Sequence, residues 1–304
     1  MTITSSTAHA ALRDVVQVVG SGHYHWVGDG FRVEGLFSPG DGLAELLDPF
    51  LLLDYHSPYE YEATTTPRGV GVHPHRGFET VTLAFEGSVA HHDSTGAGGV
   101  IRAGDVQWMT AASGILHKEY HQADWARSGG RFHMVQLWVN LPAEHKMVAP
   151  RYQPLTAEAI GRVTLPGGAG SVRVIAGDFD GSTGPAVTFT PINLWDIELA
   201  AGAAVAPKVP AGHNAAVLAL DGTLTVNGSE VRAGRLAILG RGAPGHTGVE
   251  LAASTATGGR ALVLTGEPIR EPIAAYGPFV MNTRQQLVDA VEDFNAGRFG
   301  HLAD

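Results

Sequence analysis

The sequence predicts an all-β protein built from barrels or sandwiches, and three observations support this. Short runs that alternate apolar and other residues recur along the chain, and glycines separate them. Helical periodicity is nearly absent before residue 282. The pattern breaks around Pro142, where prolines cluster, and a second β series then follows. Many short strands at this spacing indicate a sandwich or a barrel, and 304 residues suffice for one large domain or two of about 150 residues.

The first half contains alternating or apolar runs that we interpret as strands. The first 14 residues are small and polar and predict a loose N-terminus. Glycine-rich stretches at 39–42 and 102–105 predict turns, and residues 94–99 predict a hairpin loop. The predicted strands of this half are 15–19, 31–37, 49–54, 81–85, 88–92 and 132–139.

The second half repeats this organisation and ends in a helix. Residues 156–160 predict one helical turn after the proline-rich connection. The predicted strands are 172–176, 186–190, 192–199, 215–220, 223–226, 235–239 and 261–265. Asn282 or Thr283 caps the predicted terminal helix, and Gly297 ends it. Its apolar stripe, which should pack on a barrel, consists of Leu287, Val288, Val291 and Phe294.

Composition excludes several classes of function. The formal charge of −10 disfavours direct binding to nucleic acid or to an anionic membrane surface, because both require a basic footprint. No apolar run is long enough to span a membrane, and the N-terminus lacks the pattern of a signal peptide. We therefore expect a cytoplasmic protein. Cysteine is absent, which excludes disulfides, thiolate metal sites and a cysteine nucleophile.

Two pairs of residues predict a metal site. His73 and His75 are separated by one residue, and so are His117 and Glu119. Side chains at i and i+2 of a strand share a face and stand about 7 Å apart. Two such pairs on neighbouring strands would direct four nitrogen or oxygen donors at one point, and these donors suit a divalent transition metal. We predict that these four residues hold one metal ion.

The other histidines of the first half do not have this context. A chain with 15 histidines contains chance pairs, and we interpret His23-Tyr24-His25 as an exposed loop. We expect His91, His92 and His133 to be ordinary strand residues.

The residues around the two pairs resemble the two-part signature of cupin barrels, and more closely that of the pirin family. The segments that carry this resemblance are HPHRGFETVT (73–82), GDVQWMTA (104–111), LWVNLPA (137–143) and GEPIREPIAAYGPFVMNT (266–283). It implies two consecutive cupin (jelly-roll-type) β-barrels with a C-terminal helix, which we place at residues 1–145 and 146–304. The segment GHNAAVLALDGTLTVNG (212–228) is similar to the first cupin block but offers His213 alone. With His246 the only other histidine singled out there, we expect metal in the first barrel only.

The resemblance also implies iron as the metal, because pirins are iron proteins. Two carboxylates compete for the fourth ligand position. Glu79 occupies the place used in many cupins, whereas the pirin pattern implies Glu119; His121, on the same face, is a further candidate. The chain departs from many pirins at Ala112-Ser113 and Lys118. Lys118 should point away from the metal on a regular strand, so we expect an intact site.

Three hypotheses about function remain open. Members of the family cleave flavonols such as quercetin with O2, which implies an Fe(II) dioxygenase in which Glu119 or a metal-bound water acts as the base. Pirins also imply an iron-dependent, redox-sensitive regulator that docks onto a transcription factor or metabolic enzyme. In the third hypothesis, the metal only stabilises the barrel. No sequence feature separates the first two, because both need the same ligands.

Overall fold

The structure is a computed structural model that describes residues 11–241 and 248–303. Within this part of the chain the α-helices are α1 (Ala44–Leu47), α2 (Ala123–Ser128) and α3 (Arg284–Asn295), with short 3-10 turns at Ala143–His145 and Pro166–Gly168. None of the described helices has the length and apolar character needed to cross a membrane. All remaining regular structure is β, which confirms the predicted fold class.

The strands follow one another with short connections in both halves. The first twelve are β1 (Val15–Val19), β2 (His25–Val27), β3 (Phe31–Phe37), β4 (Phe50–Tyr61), β5 (Gly69–His75), β6 (Phe78–Glu86), β7 (Ser88–Asp93), β8 (Gly98–Arg102), β9 (Val106–Thr110), β10 (Ile115–His121), β11 (Gly130–Asn140) and β12 (Arg151–Leu155). The others are β13 (Gly161–Leu165), β14 (Gly170–Ala176), β15 (Asp178–Phe179), β16 (Ser182–Thr183), β17 (Ile192–Leu199), β18 (Ala204–Val205), β19 (Asn214–Val226), β20 (Ser229–Arg232), β21 (Leu236–Leu239), β22 (Leu251–Ala253), β23 (Gly259–Gly266), β24 (Ala274–Tyr276) and β25 (Phe279–Met281).

The first barrel consists of two antiparallel sheets. The larger has the strand order β12-β9-β6-β11-β4-β3-β2, and the smaller has the order β5-β10-β7-β8. A ten-stranded sheet with the central order β1-β21-β19-β23-β17-β14-β13 forms the second barrel. The strand β1 thus joins the second barrel although it precedes the first, and β12 pairs with β9 of the first barrel. The division at residues 145 and 146 stays a prediction.

The largest hydrophobic core lies between the barrels. It combines residues of the seven-stranded sheet, such as Leu53 and Leu137, with residues of the ten-stranded sheet, such as Leu218 and Leu264. This arrangement explains the long alternation of β11. Val135, Leu137 and Val139 pack in the inter-barrel core, whereas Met134 and its neighbours at i+2 and i+4 face the interior of the first barrel.

Most predicted elements agree with the structure. The strands at 15–19, 31–37 and 192–199 have the predicted bounds, and the strand predicted at 49–54 extends to Tyr61. The two runs 215–220 and 223–226 form one strand, β19. Residues 156–160 form a single helical turn, in which the Ile160 N–H donates to the Thr156 carbonyl at 3.1 Å.

The strand predicted at 186–190 is wrong. Val187 is 58% exposed, and its N–H and carbonyl bond the side chain of Gln153 instead of a strand partner. Pro185 and Pro191 flank the segment. Because proline has no N–H for a ladder, these positions favour a short, irregular connection.

The C-terminal segment packs on the first barrel. Thr283 caps α3 and forms a capping box with Gln286. Leu287 and Val291 of the predicted stripe pack against a core formed by Phe279, Ala290 and Phe299, and the ring of Phe294 also contacts it. Val288, by contrast, is exposed.

Polar contacts of Arg76 and Lys146 hold this segment against the first barrel. Arg76 forms an ion pair with Asp293 of α3 at 2.8 Å. Lys146 is fully buried and donates to the carbonyl oxygens of Gly77 (2.7 Å) and Val280 (3.0 Å) and to the Asn140 side chain (2.7 Å). The ammonium group thus joins the first barrel to the C-terminal segment.

Candidate metal centre

Two neighbouring antiparallel strands bring three of the predicted residues together. His73 of β5 lies opposite His117 of β10, and His75 is two residues further along β5. The ring centroids are 4.1 Å apart for His73 and His117, 4.8 Å for His75 and His117, and 5.0 Å for His73 and His75. One nitrogen of each ring lies within 4.8 Å of the other two. A single ion placed between the rings would be within reach of all three.

Glu119 lies beside this triad. The pairing of β5 with β10 contains a bulge between His117 and Glu119. A Glu119 carboxylate oxygen forms a second group, also within 4.8 Å, with nitrogens of His91 and His117. The Thr82 hydroxyl lies 3.2 Å from Oε1 of Glu119 and can donate to it. The four predicted residues, together with His91, therefore form two overlapping clusters that share His117.

Two of these histidines, His75 and His117, have the protonation state and the free atoms that a metal requires. Burial lowers the pKa of His75 and of His117 well below the usual value, and the neighbouring imidazoles lower both further. Neutral imidazole is the form that binds a metal. Nδ1 of His75 and Nε2 of His117 are buried without a hydrogen-bond partner among the described residues. Nδ1 of His73 lies 2.8 Å from the Gly71 carbonyl and can donate to it, which leaves Nε2 of that ring free.

The carboxylate of Glu119 is anionic despite its burial. Burial alone would raise its pKa, but hydrogen bonding and charge from His91, with further contributions from His73 and Thr82, outweigh burial and lower it. His91 shows the reciprocal effect: burial alone would lower its pKa, but the carboxylates of Asp93 and Glu119 raise it. Three imidazole nitrogens beside one carboxylate fit a divalent transition metal.

Glu79, the competing carboxylate, faces away from this cluster. It lies on the face of β6 that carries Val81 and Leu83 into the inter-barrel core. Thr82, which contacts Glu119, is on the opposite face. Oε1 of Glu79 accepts a hydrogen bond from Thr110 at 2.7 Å, and burial raises the pKa of the carboxyl group to about 7.

The remaining histidines have other surroundings. His121 is buried among aromatic rings, with Nε2 2.9 Å from the Gly30 carbonyl, and burial lowers its pKa to about 4. His133 packs against Tyr55 and Phe85 on the inter-barrel side. His23, His25 and His92 are exposed; His23 lies in a loop as predicted, whereas His25 begins β2.

The second barrel offers no comparable cluster among the residues that the structure describes. Within residues 11–241 and 248–303, two groups of side chains could hold a metal, and both contain His117 of the first barrel. His213 is buried, with Nδ1 3.3 Å from the Thr265 hydroxyl. His246 lies outside the described residues.

A cavity of about 340 Å³ opens beside the histidines. His73, His75 and Glu119 form part of its wall, together with apolar side chains that include Phe31, Met134 and Trp138. Asp54, which sequence reasoning did not single out, also lines it, and burial raises the pKa of this carboxyl group. The volume lies at the small end of the range for ligand pockets, roughly 300–1,000 Å³.

His91 and Asp93 form a further pair beside the cluster. His91 is a strand residue of β7, as expected, and it is fully buried against His117 and Glu119. The signal was present: His91 and Asp93 are an i, i+2 pair on a strand, like the two pairs that we did single out.

A double barrel with a histidine cluster inside its first half defines a two-domain cupin, or bicupin. Comparison with known families is consistent with this class. The Pirin family matches residues 30–139, and the Pirin C-terminal cupin domain matches residues 194–300. The chain belongs to the pirin family.

Individual relatives cover nearly the whole chain. A Pseudomonas aeruginosa protein named "Putative quercetin 2,3-dioxygenase" is 51% identical over 288 residues, which are 95% of this chain and 99% of that protein. Mouse pirin is 38% identical over 259 residues, 84% of this chain and 83% of its own. The crystal structure of quercetin 2,3-dioxygenase from Acinetobacter baumannii superimposes with a TM-score of 0.90 at 47% identity, over 96% of this chain and all of that one.

Proposed function

We propose that this protein is an Fe(II)-dependent dioxygenase that opens the ring of a flavonol such as quercetin, or of another enolic chelator of similar size. The observation that carries the proposal is the cluster of three histidines, two of them buried with unpaired nitrogens, in the wall of a mostly apolar cavity. The names of the bacterial relatives support the substrate class.

In this proposal His73, His75, His117 and Glu119 hold the metal. Ligand type alone does not select iron, because nickel and copper bind such sites more tightly in the divalent series; iron is proposed from family membership. When bound, Fe(II) supplies Lewis acidity for an oxygen chelate and redox chemistry with O2. Glu119 is the one anionic side chain among the four proposed ligands, so it alone offsets the charge of the ion.

The protein's own groups position the substrate and handle its proton. Glu119 accepts the proton of the substrate's enolic hydroxyl, and the Thr82 hydroxyl orients its carboxylate. Asp54, on the cavity wall with a raised pKa, is a second carboxylate within the same cavity. Phe31, Met134 and Trp138 present apolar surface to flat aromatic rings and exclude water.

The test is a steady-state assay of the iron-loaded protein with quercetin in air. Flavonol consumption, measured as loss of absorbance, should equal O2 consumption mole for mole. His117→Ala should abolish both signals, and Glu119→Gln should reduce them strongly because the only anionic ligand is lost. His92→Ala, which changes an exposed neighbour on β7, is the matched control and should leave the rate unchanged.

Absence of O2 consumption with any flavonol by the iron-loaded wild type would refute this proposal. If the same protein bound a protein partner in a redox-dependent way, the regulatory hypothesis would replace it. A cytoplasmic location stays a prediction.

We also propose that the second barrel holds no metal of its own. Elemental analysis should find one ion per chain, and a variant lacking both His75 and His117 should contain none. A stoichiometric ion that survives both substitutions would contradict this.

A further inference from the structure

A buried histidine–aspartate pair stands behind the proposed metal ligands. In the register of β7 and β10, His91 lies opposite Glu119, and Asp93 lies opposite His117. Both side chains of the β7 pair are buried. The ring of Tyr152 stacks on His91 at a centroid distance of 5.3 Å and an angle of 23°, which restricts the plane of the imidazole. The proposed function gives neither residue a role.

The contact between the two histidines constrains their protons. Nδ1 of His117 lies 3.4 Å from Nδ1 of His91. Because two N–H groups or two lone pairs would repel at this distance, one ring must donate and the other accept. Nε2 of His117 has no partner among the described residues and is free for a metal. With the metal bound and Glu119 among its ligands, a neutral His117 that binds through Nε2 carries its proton on Nδ1, so His91 must accept through Nδ1 and carry its own proton on Nε2. Without the metal, the same His91 nitrogen can instead carry a proton that faces Oε1 of Glu119, 3.9 Å away.

Asp93 favours that tautomer of His91. Its Oδ2 lies 3.9 Å from Nε2 of His91, and neither atom has a hydrogen-bond partner within the described residues. The other oxygen, Oδ1, accepts from the Thr95 N–H (2.8 Å), the Thr95 hydroxyl (2.6 Å) and the Ala97 N–H (3.2 Å). The loop after β7 therefore fixes the carboxylate so that an acceptor faces Nε2 of His91.

We propose that His91, oriented by Asp93, is a positioning residue that holds His117 in the tautomer whose Nε2 faces the metal. In this arrangement the His91 Nε2–H faces Oδ2 of Asp93, and His91 Nδ1 accepts from the Nδ1–H of His117. Nε2 of His117 is then left for the metal. The inference rests on the metal centre proposed above and adds two residues to it. Groups that orient ligating histidines in this way typically change metal affinity by 10- to 100-fold when substituted.

Asp93→Asn tests the proposal with almost no change in shape. The three donors at Oδ1 require the amide oxygen there, so the NH2 group must face His91 and donate to Nε2. His91 would then carry its proton on Nδ1, opposite the Nδ1–H of His117. Zn(II) binding, measured by competition with a chromogenic chelator, should weaken about 10- to 100-fold. His92→Gln on the exposed face of the same strand should leave affinity unchanged.

Nitrogen NMR of 15N-histidine-labelled, Zn(II)-loaded protein supplies a readout that a merely structural role would not move. In the wild type, His91 should carry its proton on Nε2 and show no metal-induced shift, while His117 should bind through Nε2. In Asp93→Asn the His91 proton should move to Nδ1, and near-UV circular dichroism should remain that of the wild type.

Two results would overturn the positioning role alone: a metal-induced shift that makes His91 a ligand, or an Asp93→Asn variant with unchanged affinity and an unchanged His91 tautomer. If wild-type protein does not bind Zn(II), the metal centre fails and this inference fails with it.

Discussion

Glu79→Gln should stabilise the protein at pH 8 and have little effect at pH 5. The Glu79 side chain is 1% exposed in the core between the barrels, and burial raises its pKa to about 7 from an ordinary value of 4.5. A carboxyl group with a raised pKa binds its proton more tightly in the folded state than in the unfolded state. Stability therefore falls as pH rises from the unfolded pKa to the folded pKa.

The size of the effect follows from this pKa. About two pH units separate pH 5 from the folded pKa, and each corresponds to about 1.4 kcal/mol. The wild type should lose about 2.5 kcal/mol at this group between pH 5 and pH 8. Glutamine imitates the protonated acid and can still accept the hydrogen bond from Thr110, so the variant should not show this loss.

Urea unfolding of the metal-free wild type and variant at both pH values measures the effect. The change in unfolding free energy with pH, subtracted between the two proteins, cancels the contribution of every other group. Glu158→Gln, at an exposed turn, is the control and should show no difference. Equal pH dependence of wild type and Glu79→Gln would refute the reasoning. Loss of metal in Glu79→Gln would show that the wrong carboxylate had been assigned to the metal.

Three further predictions concern other sites. His75→Ala should lose the metal by elemental analysis, whereas His23→Ala, at an exposed position, should retain it; full retention in His75→Ala would exclude the site. Lys146→Met should lower the unfolding free energy by about 3 kcal/mol, because it leaves three buried acceptors unpaired; a loss below about 1 kcal/mol would contradict this. Gly69→Ala should lower both stability and metal affinity, because its Cβ would collide with the Glu119 carbonyl and push β5 from β10; wild-type affinity would show that the strands adjust.

Local patterns predicted the fold well where each strand buries a defined face. Alternation in residues 31–37 and 192–199 gave the strand bounds, because a one-residue shift would expose the core face. The run 186–190 also contains apolar residues, yet prolines flank it on both sides, and the N–H and carbonyl of Val187 bond the Gln153 side chain instead of a neighbouring strand. The pairing of β1 with the distant β21 leaves no local signal, because register between strands some 220 residues apart depends on tertiary packing.

The candidate site was predictable as a set of residue types but not as a complete arrangement. The i, i+2 spacing placed His73, His75 and His117 together, and the structure agrees. The bulge in the pairing of β5 with β10, where two steps along β10 oppose three along β5 between the triad and Glu119, has no signature in sequence spacing. His91 is on the third strand, and its role depends on which strands become neighbours.

The C-terminal segment covers the histidine strands only after it has been synthesised, so metal could bind before or after this cover is in place. Pro278 lines the cavity beside the histidines, and Phe299 packs against Gly114, three residues before His117. Both are synthesised about 160 to 225 residues after the histidines, at roughly 5–20 residues per second. The histidine strands thus remain without this cover on the ribosome for about ten seconds or more. Metal added during synthesis would meet a pocket without the C-terminal segment, whereas metal added later must pass that segment, so the two routes should differ in rate.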